Sequence, residues 1–210
     1  GPAYLGRLNK KCVTLGEVLR STGYSTYCVG KWHVGHQESP VLRGFDEFYG
    51  YIRGHSTGQW TPSNYTRLPA GRKPEIEYKP GKFYATDAFS DYALEFIRQG
   101  QKREKPFFLY LAHSSPHFPL QAPAATRDSY LETYRRGWDV LRKERYERQE
   151  KSGLATASWK FTARSAVPVD RADIANGFPG KQNPPWKSLP AKRREDLSYR
   201  MATFAAMLDH

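Results

Sequence analysis

The sequence predicts an α/β fold in which a mostly parallel sheet is flanked by helices. Two stretches indicate this fold, because each runs from an amphipathic helix into a short apolar strand and then into polar residues. The first stretch covers residues 14–35 and the second covers residues 86–121. A helix followed by a strand is half of a βαβ unit, and its repetition favours a parallel sheet. We expect this sheet to be incomplete at both ends.

Composition limits the class of protein. The chain has 210 residues, of which 39% are hydrophobic, so it is long enough to form a domain with a core. No apolar run approaches the length of a membrane span. The net charge of +12 predicts attraction to anionic partners. Because the basic residues follow no motif typical of nucleic-acid binding, we expect no nucleic-acid partner.

The first helix begins after Thr14, which forms the Ser/Thr-x-x-Glu capping-box pattern with Glu17. Its predicted apolar face consists of Leu15, Val18 and Leu19. Gly23 ends the helix. Residues 24–29 are rich in β-branched and aromatic side chains, which predicts a buried strand.

Lys31 and His33 follow this strand, directly after Gly30. Ligands of parallel α/β sheets bind beyond the carboxyl ends of the strands, where these two residues are expected. In an extended segment, residues separated by one position point to the same side. A cation beside an imidazole suits an anionic group that undergoes acid–base chemistry. Lys31 and His33 are therefore candidate site residues.

The second stretch follows residues 36–85, which we predict to be rich in loops. Thr86 is expected to cap a helix that Gly100 ends. The predicted apolar stripe of this helix consists of Phe89, Ala93, Phe96 and Ile97. Residues 106–112 form a continuous apolar run of the kind typical of a central parallel strand.

A proline-rich segment, residues 113–123, follows the second strand and places His117 at its tip. We expect His113 to have a structural role. Residues 127–151 are predicted to form one long charged helix with a solvated basic face. The part of the chain from 152 to 190 is expected to be irregular, and a further helix begins near residue 191.

Two motifs carry a resemblance to a known family. Gly-Tyr-x-Thr-x-x-x-Gly-Lys-x-His, at residues 23–33, and Pro-Phe-Phe-Leu-Tyr-Leu-Ala-x-x-x-Pro-His-x-Pro-Leu-Gln-Ala-Pro, at residues 106–123, resemble the type I sulfatases. These are the formylglycine-dependent enzymes of the alkaline phosphatase superfamily. The Gly-Trp-Asp sequence at residues 137–139 is also similar to arylsulfatases. The resemblance extends in order along nearly the whole chain and implies hydrolysis of a sulfate ester.

The resemblance also implies roles for three residues. Lys31 would bind a sulfate oxygen and the hydrate of formylglycine, and His33 would hydrogen-bond that hydrate. His117 would lie at the bridging oxygen and assist the leaving group. The family further implies a calcium ion, a sulfated small molecule or sulfated glycan as substrate, and a periplasmic, extracellular or lysosomal location.

The chain departs from the family at the nucleophile and the metal ligands. Neither Cys12 nor Cys28 is followed by the Cys-x-Pro/Ala-x-Arg pattern that is converted to formylglycine. The acidic residues that hold calcium in the family are also missing from this sequence. We therefore expect residues 1–210 to be a partial catalytic domain that supplies the sulfate-binding half of the site and is inactive alone.

Two alternatives remain open from the sequence. One is a phosphate or phosphonate ester hydrolase of the same superfamily. The other is a non-catalytic basic module that binds sulfated polyanions, in keeping with the positive charge of the chain.

Overall fold

The computed structural model describes residues 6–35, 38–52, 58–156, 158–167 and 182–210. These residues form two compact units. The first unit comprises residues 1–121 together with His210, and the second comprises residues 122–209. Within the described ranges, no helix is both long and apolar enough to cross a membrane.

The first unit contains a four-stranded sheet among its described residues. Its strands are β1 (Ser25–Lys31), β2 (Glu47–Tyr51), β3 (Thr66–Leu68) and β4 (Phe107–Ala112). They lie in the order β3-β2-β1-β4. β1 is parallel to both β2 and β4, whereas β2 and β3 are antiparallel. The prediction of an α/β fold with a mostly parallel sheet is confirmed.

Helix α1 (Leu15–Ser21) begins with the predicted capping box. The side chain of Thr14 accepts a hydrogen bond from the amide of Glu17, and the Glu17 carboxylate accepts one from the amide of Thr14. Two of the three residues of the predicted apolar face are exposed, however, with Leu15 at 68% and Val18 at 44%, and Leu19 is half-buried. The helix packs instead through Gly16, where a Cβ would lie 3.1 Å from the carbonyl carbon of Gly44.

Helix α2 (Ala85–Lys102) covers one face of the sheet. Phe89 and Phe96 are 1% and 0% exposed, and they pack with Tyr27 and Val29 of β1 in the main hydrophobic core. The predicted apolar stripe is confirmed for these residues. The predicted start is not, because Tyr84 is the N-cap residue and Thr86 already lies inside the helix.

Strand β2 lies in the region predicted to be loop-rich. It is buried on both faces, since Phe48 packs beside Cys28 and Tyr49 packs in the core beneath α2. Such a strand lacks the alternation that identifies a half-buried strand. Its first residue, Glu47, is 0% exposed, and its carboxylate lies 2.5 Å from the guanidinium of Arg67 in β3. The sequence pattern therefore did not identify this strand, because it contains a charged residue, Glu47, among glycines and aromatic residues.

The prediction that the 106–112 strand is central is not met, because β4 is an edge strand of the sheet in the described part of the chain. Its side chains remain partly open to solvent, with Phe107 at 38%, Tyr110 at 47% and Leu111 at 40% exposure. Its apolar sequence is typical of a strand that has neighbours on both sides. Among the described residues, however, β4 pairs only with β1.

The second unit contains three long helices in its described residues: α3 (Ala124–Arg135), α4 (Trp138–Lys151) and α5 (Ala191–Asp209). The single helix predicted over residues 127–151 is wrong, since the chain breaks at Gly137. This residue has φ +83°, and a Cβ on it would lie 2.1 Å from the ring of Trp186. Close packing of an indole on the backbone therefore interrupts the helix.

The Gly-Trp-Asp sequence after this break has a structural role. Asp139 accepts a hydrogen bond from the amide of Trp186 at 2.8 Å and pairs with Arg164 at 3.2 Å. Trp138 packs edge-on against Trp186, with ring centroids 5.0 Å apart. These contacts attach residues 182–188 to the start of α4.

Candidate active site at the carboxyl ends of β1 and β4

The carboxyl ends of β1 and β4 lie side by side. Gly30 of β1 is in register with Ala112 of β4. Lys31 and His113 are therefore the next residues of two neighbouring parallel strands. The structure thus brings the segments that carry Lys31, His33 and His117 to one edge of one sheet, within the first unit.

Gly30 permits this close approach. It has φ +106°, and a Cβ at this position would lie 2.0 Å from the carbonyl oxygen of Ala112. On the other side Gly30 is in register with Gly50 of β2. The glycine that precedes Lys31 is therefore required by the spacing of three strands.

Lys31 is the last residue of β1 and is half-buried beside Tyr51 of β2. His33 lies beyond the strand, exposed, with φ +54°. The segment is thus not extended at His33, and the expectation of two side chains on one side of a strand does not apply there. Left-handed backbone is uncommon for a residue other than glycine, and such residues cluster at functional sites.

The ring of His117 is held by its own segment. Its amide donates to the carbonyl of Ser114 at 2.9 Å, and its Nδ1 lies 2.7 Å from the carbonyl oxygen of Phe118. A carbonyl only accepts hydrogen bonds, so Nδ1 carries a proton. In the neutral ring Nε2 is then the basic nitrogen, which gives His117 a defined tautomer for proton transfer.

Hydrogen bonds attach the segment of His117 to the start of α2. The hydroxyls of Thr86 and Ser115 lie 2.9 Å apart, and the hydroxyl of Tyr84 donates to the carbonyl of Gln121 at 3.0 Å. The side-chain oxygen of Gln121 accepts from the amide of Gln59 at 2.8 Å. These contacts hold both ends of residues 115–121 close to the start of α2.

Sequence reasoning misses this set of anchoring residues. The sequence pattern identifies Thr86 only as a helix cap. It includes Gln121 as a position of the second motif without assigning it a role, and it does not single out Tyr84. No local pattern shows which residues pair, since Thr86 and Ser115 are 29 residues apart and Tyr84 and Gln121 are 37 apart. Only the fold brings them together.

His113 lies at the base of the same segment. Its ring centroid is 6.0 Å from that of Phe89 in α2. Partial burial there lowers the pKa of His113 below its usual value. These contacts suit the structural role expected of it.

The two cysteines do not suit the role of nucleophile. Cys28 is 0% exposed within β1, and burial raises the pKa of its thiol to about 12. Cys12 is exposed, and its Sγ donates to the carbonyl of Asn9 at 3.4 Å. Neither has the sequence pattern for conversion to formylglycine.

The described residues do not fit a calcium site either. Nowhere in the described ranges do three His, Cys, Asp or Glu residues meet in a group that could hold a metal ion. Calcium also requires several carboxylate or carbonyl oxygens, whereas the strand ends carry a lysine and histidines. The residues present therefore offer the cationic and imidazole groups of a site without its metal or its nucleophile.

Comparison with known proteins decides the family. A sequence model of the family described as Sulfatase matches residues 2–193. The chain belongs to the sulfatase family. A relative of 29% identity, an uncharacterized sulfatase of Schizosaccharomyces pombe, aligns with 99% of this chain and 37% of its own length.

Other sulfatases match over smaller shares of their length. N-acetylgalactosamine-6-sulfatase of Sus scrofa is 35% identical over 59% of this chain and 25% of its own. Arylsulfatase of Klebsiella aerogenes is 24% identical over 96% of this chain and 41% of its own. The chain thus spans between a quarter and about two fifths of the length of these curated relatives.

Solved structures of sulfatases also match. A sulfatase from Pseudoalteromonas sp. is 25% identical over 57% of this chain and 30% of that chain, with a TM-score of 0.46.

Proposed function

We propose that residues 1–210 are part of the catalytic domain of a sulfuric ester hydrolase of arylsulfatase type. The observation that carries the proposal is the register of Gly30 with Ala112, which sets the two motif segments side by side at the carboxyl edge of the sheet. Ligands of parallel sheets bind at this edge. The sulfatase relatives support the reaction class.

Each site residue has a chemical task in this proposal. The ammonium of Lys31 neutralises a charged sulfate oxygen, which is most valuable where negative charge grows during reaction. The protonated ring of His117 would give its Nε2 proton to the ester oxygen as the bond from that oxygen to sulfur breaks, so the alcohol leaves neutral. The sulfuryl group would pass at the same time to a nucleophile that lies outside these 210 residues. His33, two residues after Lys31, supplies a second imidazole for hydrogen bonding and proton transfer.

Calcium and formylglycine belong to the family's chemistry, and we propose that a part of the protein outside these 210 residues supplies them. Two observations support this: the sequence lacks the formylglycine pattern, and the chain spans only a fraction of its relatives. We accordingly expect the 210-residue chain alone to show no sulfatase turnover, even with calcium added.

The substrate class in this proposal is a sulfated small molecule or a sulfated glycan. Its support is the name of a relative, N-acetylgalactosamine-6-sulfatase. We also propose a periplasmic, extracellular or lysosomal location, which is what membership of the family implies. Residues 36–85 and 152–190 are the proposed specificity regions, although residues 36–37, 53–57, 157 and 168–181 lie outside the described residues.

The test is a comparison of kcat/KM for an aryl sulfate and the matching aryl phosphate, using the natural full-length gene product. We expect hydrolysis of the sulfate to dominate. Lys31→Ala should reduce kcat/KM by about 10²–10³-fold, and His117→Ala by about 10²-fold or more. Lys82→Ala removes an exposed lysine of the same unit and should leave the rate unchanged.

Preference for the phosphate would replace this proposal with the phosphatase alternative. Equal rates for Lys31→Ala and Lys82→Ala would show that Lys31 has no role in the site.

A further inference from the structure

A cavity of about 390 Å³ lies in the second unit, between α3, α4 and α5. Its volume is within the range of sites for small molecules. Four of its lining side chains are arginines, namely Arg136, Arg142, Arg145 and Arg148, and two are aromatic, namely Tyr134 and Trp138. One acidic side chain, Glu144, also lines it. The lining therefore carries a surplus of positive charge.

The arginines differ in what they already contact. Arg136 forms an ion pair with Glu144, so the acid in the cavity is neutralised. Arg142 donates to the carbonyls of Thr162 and Ala163 at 2.9 and 2.8 Å. Both of these guanidiniums are thus occupied by the protein itself.

Arg145 and Arg148 remain available. Both are exposed, and neither has a carboxylate within ion-pair distance in the described part of the chain. They are three residues apart on α4, so their side chains lie on the same helix face. Two guanidiniums on one face can bind one oxyanion through several charge-assisted hydrogen bonds.

We propose that this cavity of the second unit binds a sulfated sugar unit of a glycan. Arg145 and Arg148 hold the sulfate group. Tyr134 and Trp138 provide the apolar surface that ligand sites combine with a few well-placed polar groups. The choice of a sulfated sugar over another oxyanion rests on the proposed function, whereas the oxyanion site itself rests on the arginines.

The test measures, by titration calorimetry, the binding of a sulfated chondroitin tetrasaccharide to the natural full-length protein. Arg145→Gln combined with Arg148→Gln should weaken binding by about tenfold or more, since hydrogen bonds to charged groups are lost. Lys143→Gln combined with Lys151→Gln makes the same change in charge on the same helix. Neither lysine lines the cavity, so this pair should change affinity by less than about twofold.

Four results would overturn the proposal: no binding by the wild-type chain, equal loss in the two paired variants, equal binding of the desulfated tetrasaccharide, or tighter binding of a single-stranded DNA of equal charge. Circular dichroism of each variant verifies that its fold is intact. The measurement needs no turnover. If the protein hydrolyses the aryl sulfate but does not bind the tetrasaccharide through Arg145 and Arg148, only the cavity proposal is rejected. If it binds the tetrasaccharide in this way but does not hydrolyse the aryl sulfate, only the proposed reaction is rejected.

Discussion

Gly30 lies where β1 approaches both of its neighbours, directly before the candidate site. It is in register with Gly50 on one side and Ala112 on the other. Any side chain here would meet backbone, which cannot move without separating the strands. The glycine of the Gly-Lys pair in the motif is therefore explained by steric packing of the strands. The lysine is explained by its proposed role in binding sulfate.

Gly30→Ala should lower the free energy of unfolding by more than about 3 kcal/mol, because its Cβ would lie 2.0 Å from the oxygen of Ala112. Gly23→Ala is the matched control. Gly23 has a similar φ of +93°, but a Cβ there would have no neighbouring atom within 4 Å, so the change should cost only about 1–2 kcal/mol. Urea unfolding measures both, and similar losses would refute the steric explanation.

Thr86 and Tyr84 position His117 through residues 115 and 121. Thr86→Val and Tyr84→Phe in the full-length protein should each lower kcat by about tenfold with little change in KM, because misplacement affects the transition state more than binding. Thr86→Ser should retain activity.

Tyr92→Phe is the control for these two variants. Tyr92 is a buried tyrosine within α2, whereas Tyr84 precedes that helix. The hydroxyl of Tyr92 accepts from the amide of Ile76 and not from a residue of the 115–121 segment. A loss of kcat in Tyr92→Phe as large as in Tyr84→Phe would indicate a general effect on stability.

Among the elements, α1 is held by a network around Arg43. The Arg43 guanidinium lies 2.8 Å from the carboxylate of Glu17 and 2.9 Å from that of Glu38, and it donates to the carbonyl of Cys12. The hydrogen bond from Arg43 lowers the pKa of Glu17 below its usual 4.5. Helix α1, the preceding loop and residues 38–43 are thereby joined.

This network predicts a pH dependence of stability. The ionised form of Glu17 is favoured in the folded state, so its contribution is fully present above about pH 4.5 and is lost as pH falls through the lowered pKa. Glu17→Gln should destabilise the chain at pH 7 and reduce the fall in stability below pH 4.5. Urea unfolding across this range measures the effect, and a parallel fall in both proteins would exclude Glu17 as the group responsible.

Elements with local signals can be predicted from the sequence, and those that depend on distant contacts cannot. The capping box of Thr14 and Glu17 and the stripe of α2 lie within a few residues of one another, so their patterns are visible in the sequence. The break at Gly137 depends on Trp186, and strand β2 depends on burial by other elements. For the site, the motifs identify Lys31, His33 and His117 as candidates, whereas the anchoring residues require the fold.

At the scale of the whole molecule, β4 is the outermost strand of the sheet in the described residues, and its apolar side chains Phe107, Tyr110 and Leu111 are partly exposed. An edge strand with exposed hydrophobic residues invites pairing with another chain. Tyr110→Lys places a charge on this exposed strand and should reduce self-association of the 210-residue chain. Light scattering coupled to size-exclusion chromatography measures the change. Lys82→Gln is a control elsewhere on the unit, and an equal effect from it would show that the β4 edge is not responsible.

The proposed function requires that these 210 residues supply the sulfate-binding part of a sulfatase site whose nucleophile lies elsewhere in the same protein. Intact-mass spectrometry of the natural gene product, with peptide mapping, can establish whether this is so. We predict a mass well above 24.1 kDa and a Cys-x-Pro/Ala-x-Arg peptide that carries formylglycine. A mass of 24.1 kDa would contradict the proposal, since the chain would then act without a nucleophile of this type.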